Sequence, residues 1–283
     1  MHVVSSADPG QVLAKAGEHL ASDPVLHNLI LTLLHERLEQ PEPGRYWMVN
    51  DGPQVVGVGF QSPLSFPIVL SLMSREAIAA LVEAIASAGI DLPGVHAEAA
   101  TAARFAGQWT ERRKAAACPA EGLRIYECRE ARLPAATRGN LRRALPEDRG
   151  LVAAWVKGFY ADVGEPGHDV AAMVERRLAA GRFWLWEDGG PASMAARSGS
   201  VAGVVRLQIV YTPPEKRRRG YAGACVAQLS KIILAGRDRC MLYTALSNPT
   251  SNSVYRRIGY RAAAEGLRYR FLDADDAEET LAG

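Results

Sequence analysis

The sequence lacks most of the features that would announce a function. Its four cysteines (Cys118, Cys128, Cys225 and Cys240) are scattered with no CxxC pair, which argues against a zinc ribbon or a disulfide framework and fits a reducing compartment. The histidines are equally dispersed, with no HExxH, so no metal is expected. No apolar run is long enough to cross a bilayer; Val25 to Leu34 is interrupted by His27 and Asn28. No charged-then-apolar leader follows Met1. The expected setting is therefore the cytoplasm, with no membrane partner. Excess charge is also missing. The net charge is +2, too small for a protein that lives on nucleic acid, and no basic face is interleaved with aromatics. No specific nucleic-acid partner is expected.

What is present describes an ordinary globular chain. The 283 residues, 48 % hydrophobic and 23 % charged, suit one large domain or two of about 140 residues. In the first half, Ser22-Asp23-Pro24 precedes apolar residues at helical spacing (Leu26, Leu29, Ile30, Leu33, Leu34), and Pro41-Glu42-Pro43-Gly44 ends that helix. A hairpin is predicted over 45–50 and 54–61 around Asp51-Gly52-Pro53. Strands are expected at 68–73, 94–98 and 123–128, and helices at 75–88 and 99–113. The stretch 128–140 has little periodicity and reads as a connector.

The second half repeats this order. A strand is predicted at 141–144 and helices at 147–160 and 168–180. A hairpin follows over 183–187 and 192–197, then a strand at 203–211. A helix at 221–234, a strand at 239–245, a short helix at 251–258 and a strand at 267–272 complete it. The shared order of helix, hairpin, strand, helix, strand, helix, strand points to a diverged internal duplication. The other reading is that any α/β chain alternates in this way.

One segment stands out chemically. Lys216-Arg217-Arg218-Arg219 runs directly into Gly220 at the junction of a strand and a helix. A helix N-terminus offers unpaired N–H groups and partial positive charge. Gly220 permits a tight turn and Ala222 keeps the next turn open, so the N–H groups of about 218–223 form a candidate cradle for a phosphate. The bland alternative is a solvated basic loop.

Arg217-Arg218-Arg219-Gly220-Tyr221-Ala222 fits the pattern Arg/Gln-x-x-Gly-x-Gly/Ala. Downstream, Asn248, Ser251 and Tyr255 followed by Ile258-Gly259-Tyr260 fit Asn-x-x-Ala/Ser-x-x-x-Tyr and a Gly-aromatic ending. In this order and context the chain resembles the GNAT superfamily of acetyl-coenzyme A-dependent N-acetyltransferases. The resemblance covers 140–272 best. It implies an α/β (α+β) fold of two GNAT-like domains, each a mixed, mostly antiparallel sheet flanked by helices. Residues 1–130 would be a degenerate copy without the motifs, and 131–283 the acetyl-CoA-binding domain.

The resemblance also assigns parts. Acetyl-CoA would be held by Ile209, Val210 and Tyr211 on the strand, by Arg217, Arg218, Arg219, Gly220, Tyr221, Ala222 and Gly223 at the loop and helix, and by Asn248, Ser251 and Tyr255. Tyr255 would also be the catalytic acid that protonates the leaving thiolate; its alternative is a core tyrosine. The acceptor is an amine of unknown identity, and the protein a monomer or homodimer. No base is assigned. Asp162, Glu165 and His168, read as a loop shaping the acceptor pocket, and Arg206 and Gln208 on the strand are candidates for roles there; each has solvation as its alternative. A non-catalytic sensor or scaffold that binds acetyl-CoA is the competing function.

Overall fold

The computed structural model describes residues 1–134, 137–164 and 169–272. Leaving aside short 3₁₀ turns, the chain runs through one order of elements twice. The first pass is β1 (His2–Ser6), α1 (Pro9–Ser22), α2 (Asn28–Glu39), β2 (Arg45–Asp51), β3 (Gln54–Gln61), β4 (Ile68–Leu70), α3 (Arg75–Ser87), β5 (Gly94–Glu98), α4 (Ala99–Arg113) and β6 (Ala116–Cys128). The second is β7 (Asn140–Arg143), α5 (Arg149–Val163), α6 (Val170–Ala179), β8 (Phe183–Glu187), β9 (Pro191–Val201), β10 (Val204–Tyr211), α7 (Tyr221–Ala235), β11 (Arg239–Ala245), α8 (Pro249–Arg257) and β12 (Arg261–Leu272). The repeat is closer than the sequence suggests, because the first pass also opens with a strand and two helices. Asp8 caps α1 by accepting from Gly10 N–H at 2.8 Å, Pro9 sits in its first turn, and Val12, Ala16 and Leu20 form its buried stripe.

The packing separates into two compact units. The first holds Met1–Ile125, Ala245–Ser247 and the described residues from Ala263 onward; the second holds Tyr126–Thr244 and Asn248–Ala262. In the first unit the strands run β1-β2-β3-β4-β5-β12. Only β4 with β5 is parallel among these neighbours. The last strand of the described residues thus serves the first unit, pairing Gly266 to Arg270 against Glu98 to Gly94. Gly94 is required there, since a Cβ would lie 2.1 Å from the Tyr269 carbonyl oxygen. Phe271 of the same strand stacks on Trp109 of α4, ring centroids 5.7 Å apart.

The second unit orders its strands β11-β10-β9-β8-β7, with β10 and β11 parallel and the other neighbours antiparallel. The expected mixed, mostly antiparallel sheets are therefore present. Each face of the second sheet carries its own core. On one side Val205, Leu207 and Ala195 pack with Cys225, Val226 and Leu229 of α7. On the other, Ile209, Tyr211 and Ala196 pack with Val152, Trp155 and Val156 of α5 and Val174 of α6.

A histidine pair in the first unit makes that unit acid-sensitive. His19 and His27 stack with centroids 5.4 Å apart. His27 Nε2 accepts from Leu72 N–H at 3.1 Å, so its Nδ1 donates to the Leu20 carbonyl, also at 3.1 Å. Accepting at Nε2 requires the neutral ring. Burial and then His27 lower the His19 pKa from 6.5 to about 4; burial likewise lowers that of His27. Each folded-state pKa lies below the unfolded one, so this stability is complete above pH 6.5 and is lost as pH falls toward 4. Melting temperatures measured across that window should fall, and His19→Gln should flatten the slope. A parent curve without that fall would contradict the neutral pair.

Candidate active site

The site is built where β10 leaves its neighbours. Val205 and Leu207 face the core under α7, and the register with β9 shifts between those two residues and again between Gln208 and Tyr211. Gln208 pairs with Ala196 and Tyr211 with Met194, an extra residue on β10. Ile209 absorbs it in the left-handed region, at φ +51°. Such a bulge costs backbone strain and re-aims the strand. On its other edge β10 pairs with β11 only over Val204–Arg206 against Arg239–Met241. Beyond that the two strands continue to Tyr211 and Ala245 without pairing. The parting leaves an opening with Ile209, Val210 and Tyr211 on one wall.

Beyond Tyr211 the chain turns through Pro213 and a 3₁₀ turn, Pro214–Lys216. Arg218 takes φ +63° and Gly220 φ +84°. Gly220 is the N-cap of α7, which has no side-chain cap. The first bond of the helix is Ala224 N–H to the Gly220 carbonyl, 3.0 Å. The N–H groups of Tyr221, Ala222 and Gly223 precede it and have no helical partner. Their dipoles make this end attractive to an anion.

The basic residues divide into braces and exposed charges. Lys216 Nζ donates to the Pro191 carbonyl at 2.6 Å. Arg217 donates from Nε to the Thr212 carbonyl at 2.9 Å, pairs with Asp162, and lies 5.8 Å above the Tyr211 ring. Tyr221 donates its hydroxyl to Asp188 at 2.7 Å, a bond that raises its pKa. These contacts hold the turn in shape. Arg218 and Arg219 remain exposed beside Gly220.

α8 carries the remaining predicted residues. Asn248 is its N-cap, accepting from Ser251 N–H at 2.9 Å, and its carbonyl accepts from Asn252 Nδ2 at 2.7 Å. The Asn248 amide nitrogen makes no hydrogen bond to a described residue. Asn252 is buried and also accepts from the Tyr126 hydroxyl at 3.1 Å. Tyr255, likewise buried, sits between Tyr126 and Tyr260, at centroid distances of 6.2 Å and 5.9 Å. Burial, with Cys225 adding to it, pushes its pKa up to about 12. α7 and α8 approach closely at Gly223, where a Cβ would lie 3.3 Å from Val254 Cγ1.

Residues 191–269 match the family described as FR47-like protein. An acetyltransferase of the GNAT family from Colwellia psychrerythraea superposes with a TM-score of 0.64 at 11 % identity, covering 96 % of this chain and 100 % of that one. A GCN5-related N-acetyltransferase from Sphaerobacter thermophilus gives 0.62 at 14 %, with 95 % of each chain covered. The chain has the GNAT fold. A tandem GNAT protein from the clavulanic acid biosynthesis pathway is also similar over 96 % of this chain and 98 % of that one, with a TM-score of 0.55 at 13 % identity. No curated protein matches the chain by sequence.

The two units differ at the equivalent helix ends. In the first, Ser74 caps α3 by accepting from Ala77 N–H at 3.2 Å, and Glu76 stands in the first turn. The helix matching α8 is capped by the Glu98 carboxylate, which accepts from Ala100 and Thr101 N–H. The strand matching β10 is three residues long. A groove of about 560 Å³ beside α3 mixes Arg75 and Arg112 with Glu76, Glu83 and Glu111, and it is remote in sequence from every motif residue.

Among the loop candidates one correction is needed. Asp162 lies in the last turn of α5, not in a loop, and is engaged by Arg217. The helix extends because Gly164, at φ +68°, supplies the left-handed stop that ends it. Glu165 and His168 lie outside the described residues. Asn252, Tyr126 and Asp188 were not anticipated, because each acts through a partner distant in sequence. Among the described residues no group of three His, Cys, Asp or Glu side chains is placed to hold a metal. No helix there is long and apolar enough to cross a membrane.

Proposed function

We propose that this chain is an acetyl-CoA-dependent N-acetyltransferase acting on a primary amine, with its site in the second unit. The observation that carries the reading is the α7 N-terminus. It has no side-chain cap, is entered through left-handed Arg218 and Gly220, and opens beside the parting of β10 and β11. The N–H groups of Tyr221, Ala222 and Gly223 would hold the pyrophosphate, with Arg218 and Arg219 adding charge at the rim. Main-chain groups of Ile209–Tyr211 and the Asn248 amide would align the pantetheine arm.

Acetyl-CoA supplies an activated acyl group. A main-chain N–H near Val210 would stabilise charge developing on the carbonyl oxygen. The C–N bond forms as the C–S bond breaks, the amine proton leaves to water, and Tyr255 gives its proton to the thiolate. The first unit, whose equivalent helix ends are closed by Ser74 and Glu98, would not bind the donor.

A panel of amines assayed for release of free thiol from acetyl-CoA tests this reading. Turnover with at least one amine, with a mass gain of one acetyl group on the product, is expected. Tight binding of acetyl-CoA without turnover on any amine would instead favour a sensor or scaffold.

A further inference from the structure

The mechanism leaves one buried cation unused. Arg206 sits on β10 and is the last residue of that strand paired with β11. It therefore stands at the floor of the opening. Its flanking residues Val205 and Leu207 belong to the core under α7, so Arg206 projects to the opposite face, toward α5 and α6. Only 6 % of the residue is exposed. Its Nε is fully buried with no hydrogen-bond partner. No ion pair or side-chain hydrogen bond from its guanidinium to a described residue exists; its main-chain N–H donates to Ser198 Oγ at 2.9 Å.

Gln208 lies two residues on, paired with Ala196, which belongs to the same α5/α6 face. Its Nε2 is also buried without a partner. Two neighbouring positions on one face thus present unanswered donors at the mouth of the bulge. Lone buried charges are strongly disfavoured, because desolvation is not offset. A planar guanidinium with an amide beside it suits a carboxylate, which accepts two parallel bonds.

We infer that Arg206 and Gln208 bind a carboxylate on the acceptor, so that the substrate class is amines that also carry a carboxylate, such as free amino acids. This rests on the acetyl-transfer reading above. Ile209, where the strand is re-aimed, lies about 10 Å along the strand from Arg206. The reactive carbonyl would lie near Val210, and a long arginine side chain can bridge much of that interval. The pyrophosphate site at α7 is separate, so the acceptor's charge and the donor's charge are read by different groups.

Matched acceptors decide the matter. Each free amino acid is compared with its C-terminal amide by thiol release, in the parent, Arg206→Met and Arg206→Lys. The parent should prefer acid over amide by roughly ten- to hundredfold, the range expected for a hydrogen-bonded charge. Arg206→Met should bring that ratio close to one through KM for the acid, with calorimetric affinity for acetyl-CoA unchanged. Its melting temperature should hold or rise, since a lone buried charge is replaced by an apolar side chain of similar length. Arg206→Lys should retain part of the preference. Equal use of acid and amide by the parent would overturn this inference while leaving acetyl transfer intact. So would an Arg206→Met variant with lowered stability and an unchanged ratio. Failure of the parent to bind acetyl-CoA at all would overturn both readings.

Discussion

Gly220→Glu should abolish acetyl-CoA binding while leaving the protein folded. Gly220 holds φ +84° at the N-cap of α7, a conformation that costs a residue with a Cβ about 1 kcal/mol. The added Cβ would stand 3.1 Å from Thr137 Oγ1, close enough to require a small shift. Neither effect unfolds a domain. An acidic side chain at a helix N-terminus is even favoured by the dipole. That is the point of the substitution: the carboxylate takes the place proposed for the pyrophosphate and repels it. A loss of affinity of about a hundredfold or more is expected by calorimetry, the scale of a lost charge-assisted site. Gly220→Ala carries the same backbone strain without the charge and should lose much less. Equal losses in the two variants would assign the effect to strain.

Tyr255→Phe should lower kcat by about a hundred- to ten-thousandfold, the usual contribution of a positioned general acid, and leave KM for acetyl-CoA nearly unchanged. The phenyl ring keeps the packing against Tyr126 and Tyr260. The hydroxyl makes no hydrogen bond to a described residue, so stability should change by no more than about 0.5–1 kcal/mol. The raised pKa adds a second expectation. Burial holds Tyr255 at about 12, so it stays protonated throughout the neutral and mildly alkaline range. The kcat profile should show no alkaline limb near 10, where an ordinary tyrosine ionises. Normal turnover in the Phe variant would remove Tyr255 from the mechanism and leave it as a buried ring.

How much of this was readable in advance follows from how local each feature is. β5, α4, β8 and β11 appear with the boundaries expected from periodicity and turn residues, because those signals lie within the elements. β1 and α1 were missed. The buried stripe of α1 is Val12, Ala16 and Leu20, a narrow face diluted by Lys15, Gly17 and Glu18. The partner of β12 was beyond reach as well, since pairing with β5 joins residues 168 to 176 positions apart in sequence, as in Gly266 with Glu98 and Arg270 with Gly94. The turn proposed to hold the pyrophosphate was legible because a glycine N-cap and its arginines are contiguous. The bulge at Ile209 was not, as nothing in Val204–Tyr211 marks a left-handed residue. The Arg217–Asp162 and Tyr126–Asn252 contacts are long-range for the same reason. Arg206 was visible as a polar residue in an apolar strand, but only the structure shows it buried without a partner.

The account stands or falls on the donor site of the second unit. The most direct measurement is calorimetric titration of acetyl-CoA into the purified, cofactor-free chain, read for stoichiometry as well as affinity. Micromolar binding at a single site per chain is predicted, because one α7-type helix end is open while its counterpart in the first unit is closed by Ser74. Two equivalent sites would contradict the assignment of a single donor unit. No binding by a folded chain would contradict the transferase reading itself.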